Sequence, residues 1–398
     1  MASDLAYAQA QATAEAPATV TVTGIRRGIE DAISVKKNAT SIVEAISAED
    51  IGKLPDVSIA ESLARVPGLA AQRVGGRAQV ISVRGLSPDF STTLLNGREQ
   101  VSTGDNRSVE FDRYPSELIG GVLIYKTPDA GLIGQGLSGT IDLQTVRPLA
   151  FGKSTLSVNV RGEKNSLGSI AGTNSTGNRF NISYIDQLAN RTLGIAVGYA
   201  RLDSPILDQE VGLYEPWKRD SRAGLPAGTY ESDGIKSLEK SGKFKRDSFF
   251  GVVEWRPSKD WTSTLDLYSS KAKANETLSQ FEVNLGDYNG GFQPGLLYTS
   301  STINSNNVLT GGVATGVYPL VRGFSNRRND TVQAVGWNNV FKFKGWSLLT
   351  DASYSGSKRN ETNLETNALL RTPSGGPLLD SLTVNYATGG FPTLTPRS

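Results

Sequence analysis

Between residues 192 and 201 the chain alternates bulky and small side chains. Leu193, Ile195, Val197 and Tyr199 fall on one face of an extended segment, and Gly194, Ala196, Gly198 and Ala200 on the other. That is the period of a β-strand whose two faces meet different surroundings. Further segments of this kind run over residues 154–163, 179–186, 248–255, 261–269, 331–343 and 346–354. In 261–269, Leu265 and Leu267 face one way while Asp266 and Tyr268 face the other. The connections alternate in length: residues 187–191 and 256–260 are short, whereas 203–246 and 271–329 are long. Short turns at one end of an antiparallel sheet and long loops at the other predict a membrane-spanning β-barrel, and Trp255, Trp261, Trp337 and Trp346 suit its aromatic girdles. A soluble sandwich also alternates, but it places bulkier residues on its core side.

The first 148 residues read differently. Residues 1–18 form an Ala-rich tail without the basic and apolar regions of a complete signal peptide. Thr19-Val20-Thr21-Val22-Thr23-Gly24 is a short β-prone run. Residues 25–38 are helix-like, with Ile29 and Ile33 four apart; 41–46 read as a strand, Ser47 to Asp50 as an acidic helical turn, and 57–65 as a second helix ended by Pro67-Gly68. Then come the strand Val80 to Val83, a Ser87-Pro88-Asp89-Phe90 turn, a strand over 91–95, and Asn96-Gly97, which supplies positive φ cheaply. Pro115 to Ile119 read as a short helical piece, followed by strands at Val122 to Tyr125 and Thr140 to Val146. Such an order predicts a small α+β module. Residues 102–108 are too hydrophilic for a core and form a turn or an outward loop.

Composition narrows the chemistry. Among 398 residues there is no Cys and no His, which removes thiolate and imidazole catalysis and the metal sites built on them. The net charge of +2 argues against a nucleic-acid footprint. No run of about 18 or more apolar residues suggests a membrane helix. Gly134-Gln135-Gly136-Leu137-Ser138-Gly139 matches a dinucleotide fingerprint, but a β-branched strand follows where that site needs a helix. Those glycines are expected to allow close packing of the last strands of the module.

Three strings carry a resemblance: ISAEDIGKLPDVSIAESLARVPGL, SVRGLSPDFSTTLLNGRE and YPSELIGGVLIYKTPDAGLIGQGLSGTIDLQTVRP. In order and content they resemble the plug domain of TonB-dependent outer-membrane receptors, in the branch abundant in Caulobacter-like and Xanthomonas-like bacteria. The resemblance covers roughly residues 19–148. It implies a tail (1–18), a TonB box at Thr19, Val20, Thr21, Val22, Thr23 and Gly24, an α+β plug (25–148), and antiparallel transmembrane β-barrel strands (149–398), an incomplete barrel of seven or eight strands. It further implies TonB with ExbB and ExbD as partners, outer-membrane lipid around the barrel, and location in the bacterial outer membrane. Plug arginines, here Arg84 and Arg98, would lock the plug to acids of the barrel wall. Asp89, Phe90, Asp105, Asn106 and Arg107 on plug loops would touch a small polar ligand, a carbohydrate or oligosaccharide in preference to a ferric siderophore. No enzyme activity, cofactor or resident metal is expected, although calcium at loop carboxylates stays open. Two other classes compete: a passive porin or adhesin, which needs no plug, and a secreted glycan-active enzyme working with Asp/Glu pairs.

Overall fold

The computed structural model describes residues 33–47, 58–74, 77–116, 119–132, 136–213, 217–220, 222–285, 296–389 and 391–397. The TonB box reading at 19–24, the tail, the acidic turn at 48–50 and most of the helix-like 25–38 segment lie outside them; residues 33–38 are helical.

The described part of the amino-terminal module is a mixed sheet with a hairpin and a short helix packed with it. Its strands are β1 (Val43–Ser47), β4 (Ser91–Leu95), β5 (Arg98–Glu99), β6 (Gly121–Tyr125) and β7 (Gly139–Gln144), in the order β1-β6-β7-β4-β5. Only β4 and β7 run parallel, because the chain between them is long enough to cross over. Strands β2 (Leu69–Val74) and β3 (Arg77–Val83) pair as a separate hairpin, with helix α1 (Ile59–Leu63) preceding it. Asn96 and Gly97 both hold positive φ (54° and 79°) between β4 and β5, as a tight reversal requires. Gly136 behaves as packing: a Cβ on it would collide with the Gly139 carbonyl and the backbone of Thr92 and Phe90.

The rest of the chain builds a wall. Seven antiparallel strands, β8 (Thr155–Lys164), β9 (Thr176–Leu188), β10 (Leu193–Leu213), β13 (Gly234–Trp255), β14 (Trp261–Asn284), β17 (Leu320–Phe343) and β18 (Trp346–Ala368), pair in chain order, with β8 and β18 as the open edges. Every strand predicted from the alternation is there. The small face of β10 is the covered one: Gly194, Ala196, Gly198 and Ala200 are buried, while Val197 on the other face is 42% exposed. Leu149 packs onto Gly194, where a Cβ would meet it within about 3 Å. Module and wall share one core: Ile59, Ile81, Phe111, Tyr114, Ile141 and Leu143 pack with Ala196, Ala200, Phe250, Val252, Tyr268 and Val332.

The strands run further than their alternation signalled. The stretches 203–246 and 271–329, read as loops, hold the continuations of β10, β13, β14 and β17 and further strands between them. Past the apolar band the outward face turns polar, so the pattern fades, while Leu202, Ile206, Phe244, Ala272 and Ala274 stay buried on the inner face and the backbone ladder continues. Between these ends sit β11 (Lys218–Asp220), β12 (Thr229–Glu231), β15 (Leu297–Ile303) and β16 (Leu309–Val317); the last two form a four-stranded sheet with β19 (Asp380–Asn385) and β20 (Thr393–Pro396), which follow β18. That sheet has its own core, which includes Leu285, Tyr298, Leu309, Val317, Leu382 and Val384. The described parts of the long connections are therefore folded structure rather than solvated spacers.

Candidate functional site

Charged residues meet at the seam between the module and the inner face of the wall. The centre is the 3-10 turn Phe111–Arg113, where Phe111, Asp112, Arg113 and Tyr114 are all buried. Arg113 Nη2 donates to Asp330 Oδ2 on β17 at 2.6 Å, and Nη1 to Asp112 Oδ1 at 2.9 Å. From β18, Arg359 Nε reaches Asp330 Oδ1 at 2.7 Å, and its Nη2 donates to Thr103 Oγ1 at 2.9 Å. The turn's backbone is also held: Tyr268 Oη and Ser270 Oγ donate to the Arg113 carbonyl at 2.6 and 2.9 Å, and Arg246 Nη1 to the Asp112 carbonyl at 2.5 Å. Tyr114 stacks on Tyr268 with ring centroids 5.0 Å apart. Burial disfavours the Arg113 charge, but Asp112, Asp330 and Glu110 more than offset this and hold its pKa above the ordinary arginine value. Complete burial pushes the Tyr114 hydroxyl well above the usual phenol range.

A second anchor lies six residues along β17, roughly 20 Å away. The Asn96-Gly97 turn delivers Arg98 to the wall, where Nε and Nη2 grip the two oxygens of Asp351 at 2.9 and 2.8 Å and Nη1 donates to Asp266 at 2.7 Å. Such a fork on one carboxylate is the strong form of the ion pair. Arg147 Nη1 takes the other oxygen of Asp266 at 2.7 Å. Gly336 forms the floor of this socket, since a Cβ there would overlap the Arg98 guanidinium. Burial opposes the Arg98 charge, yet Asp351 and Asp266 raise its pKa above the ordinary value.

The other side of the seam is built differently. Arg77, at the start of β3, is 9% exposed and donates Nη1 to Ser204 Oγ on β10 at 3.2 Å. Its guanidinium lies 4.4 Å from the centre of the Phe244 ring on β13. Among the described residues its Nε and Nη2 meet no acceptor. Burial pulls its pKa down to about 10.

The two arginines predicted as locks part company here. Arg98 does reach two wall carboxylates. Arg84 does not: it is exposed, sits at φ 57° in the turn after β3, and donates only its backbone N–H to Gly68 O at 2.7 Å. Among the described residues it forms no ion pair, because the left-handed turn sends it away from the wall. The predicted ligand residues come together in part. Ser108 Oγ donates to Asp89 Oδ1 at 2.8 Å and ties the 102–108 loop to the turn bearing Asp89 and Phe90. Phe90 is 46% exposed, and Asp105, Asn106 and Arg107 are exposed, Arg107 standing 3.9 Å from Glu99. Asn106 and Arg107 also line an open cleft of about 270 Å³ with Thr93, Glu99, Gln100 and Ser102. Asp89, Phe90 and Asp105 are not part of its lining.

Sequence reasoning passed over Arg113, Asp112, Asp330, Arg359 and Arg77. A usable signal existed for the wall acids: Asp266 falls on the face opposite Leu265 and Leu267, where a charge must meet either water or a partner. For Arg113 the signal was weaker, a charged pair set between aromatics in Phe111-Asp112-Arg113-Tyr114.

Residues 35–141 match the family model described as the TonB-dependent receptor plug domain. Several solved structures are similar over most of this chain. The outer membrane transporter YddB from Escherichia coli is 13% identical over 89% of this chain and 58% of its own, with a TM-score of 0.39. The copper transporter OprC is 14% identical, covering 87% of this chain and 53% of its own, TM-score 0.41. The siderophore receptor PirA from Acinetobacter baumannii is 12% identical, covering 90% and 60%, TM-score 0.35. This chain spans less than two thirds of the length of each.

Proposed function

We propose that the protein is a TonB-dependent receptor of the bacterial outer membrane, in which residues 25–148 plug a barrel begun by the seven-stranded wall. The observation that carries this reading is the seam: a plug-like module held on the inner face of an outwardly apolar sheet by arginine–carboxylate pairs, of which Arg113–Asp330 is fully buried. A barrel of passive diffusion has no need of charged anchors between a separate module and its wall. In this reading Thr19 to Gly24 pair with TonB as an added strand, and ExbB and ExbD energise the pull. Work delivered there breaks the pairs at Arg98 and Arg113 and opens a path beside Arg77.

The cargo proposed is a carbohydrate or oligosaccharide, with a ferric siderophore as the second reading. Hydroxyl and amide groups in the plug cleft, from Thr93, Gln100, Ser102 and Asn106, suit a hydroxyl-rich ligand. The test is uptake in cells. Deleting residues 19–24 abolishes energised uptake of a radiolabelled oligosaccharide while surface binding persists; uptake unaffected by the deletion contradicts the transport mechanism. Calorimetry with oligosaccharides and with ferric siderophores separates the two cargo classes, and heat from the siderophore alone overturns the carbohydrate assignment.

A further inference from the structure

The wall's outward face divides sharply. On β10, β13, β14, β17 and β18, register rows near the short-turn end are apolar or aromatic, for example Val197, Gly251, Leu267, Val335 and Tyr354. At that end Trp255, Trp261 and Phe341 pack ring to ring, with centroids 4.7 and 5.3 Å apart. Two rows beyond the Leu267 row, towards the long-loop end, the face becomes cationic. One row reads Arg201, Asp247, Lys271, Thr331, Lys358; the next Asp203, Lys245, Lys273, Asn329, Asn360; the third Pro205, Lys243, Asn275, Arg327, Thr362. Residues of opposite parity point into the seam, as buried Arg246, Ala272 and Asp330 show.

Two carboxylates serve this collar. Asp203 takes Lys245 at 3.1 Å and Lys243 at 3.9 Å, and Asp247 stands 4.0 Å from Arg201. Lys271, Lys273, Arg327 and Lys358 form no ion pair among the described residues. Lys245 and Lys273 are directly opposed across β13 and β14, where like charges repel and destabilise the pairing. A cationic excess in contact with an apolar band calls for an anion carried at the same depth as the band's edge.

We propose that this collar, centred on Lys245, Lys271, Lys273 and Arg327, binds the phosphorylated headgroup of an anionic lipid in the outer leaflet. The inference rests on the membrane reading above, in which the apolar band sits among acyl chains and the long-loop end faces outward. Phosphate oxygens supply the missing countercharge, and acyl chains continue onto Val335, Leu267 and Tyr354. Each cation near a charged lipid surface contributes on the order of a few-fold in affinity, so three together contribute about a hundredfold.

The purified protein in dodecyl maltoside micelles is titrated with diphosphoryl lipid A, with lipid A stripped of both phosphates, and with inorganic phosphate. The native chain binds the diphosphoryl form about a hundredfold more tightly than K271Q/K273Q/R327Q does, more weakly as salt rises. K271R/K273R, which keeps the charge, binds like the native chain. Inorganic phosphate at millimolar concentration fails to compete. Equal lipid A binding by the neutral variant overturns the proposal, as does inorganic phosphate displacing the lipid, which assigns the site to free phosphate. Flotation with pure phosphatidylcholine vesicles separates the two levels: a protein that floats but shows no charge-dependent lipid A binding loses the collar alone, whereas one that does not float loses the membrane reading with it.

Discussion

The two sides of the seam use the same side chain to different ends. Against β14, β17 and β18, Arg98 meets Asp351 and Asp266, and Arg113 meets Asp330 while also holding Asp112 of its own turn, all within 3 Å. Against β10 and β13, Arg77 meets a hydroxyl and an aromatic ring. A buried guanidinium without a carboxylate gains little to offset its desolvation. One side is thus held by side-chain ion pairs, whereas on the other Arg246 of β13 reaches only a backbone carbonyl, that of Asp112, at 2.5 Å, and Arg77 has no carboxylate partner among the described residues.

Substitutions sharpen or break that contrast. The largest effect belongs to Arg113→Ala, which leaves Asp112 and Asp330 buried with less countercharge and costs about 3–5 kcal/mol; chemical unfolding followed by hydrogen exchange in residues 109–116 measures it. Gly336→Ala comes next. The new methyl displaces the Arg98 guanidinium from its fork on Asp351, at a cost of about 1–2 kcal/mol after allowing for the partial exposure of Asp351, visible as faster exchange across residues 91–99. Arg77→Met has the opposite sign: it keeps the packing on Phe244, removes the unpaired charge, and stabilises by about 1 kcal/mol. A loss of stability there would mean that the cation–π contact outweighs desolvation. Arg84→Gln is the control, changing stability by less than about 0.5 kcal/mol.

The wall was legible where its two faces differ. Alternation located all seven strands, since bulky outward side chains and small or polar inward ones leave opposite marks along β10 and β14. It lost them at about Arg201 and Ser269, where the outward face turns polar and charged although Leu202, Ile206, Phe244, Ala272 and Ala274 stay buried on the inner face. The module's strands were legible from apolar runs and from Asn96-Gly97. Its anchors were less so. Arg84 lies in the turn after β3 and Arg98 opens β5 just past the Asn96-Gly97 turn, and nothing local says which turn faces the wall. Arg113 lies in a 3-10 turn with no periodicity, and its partner Asp330 is 217 residues away in sequence. Pairings of that range are set by how the module docks, which no single segment encodes.

The most direct test of the anchored seam is a double-mutant cycle on Arg98→Met and Asp351→Leu, read as the free energy of opening of amides 91–99. It suits the purpose because Asp266 keeps Arg147 when Arg98 is gone. The account predicts a coupling of about 1.5 kcal/mol or more, with the double variant more stable than the single variants' summed losses imply. A coupling indistinguishable from zero would make the pair an ordinary surface contact and contradict the claim that charge pairs hold the plug to its wall.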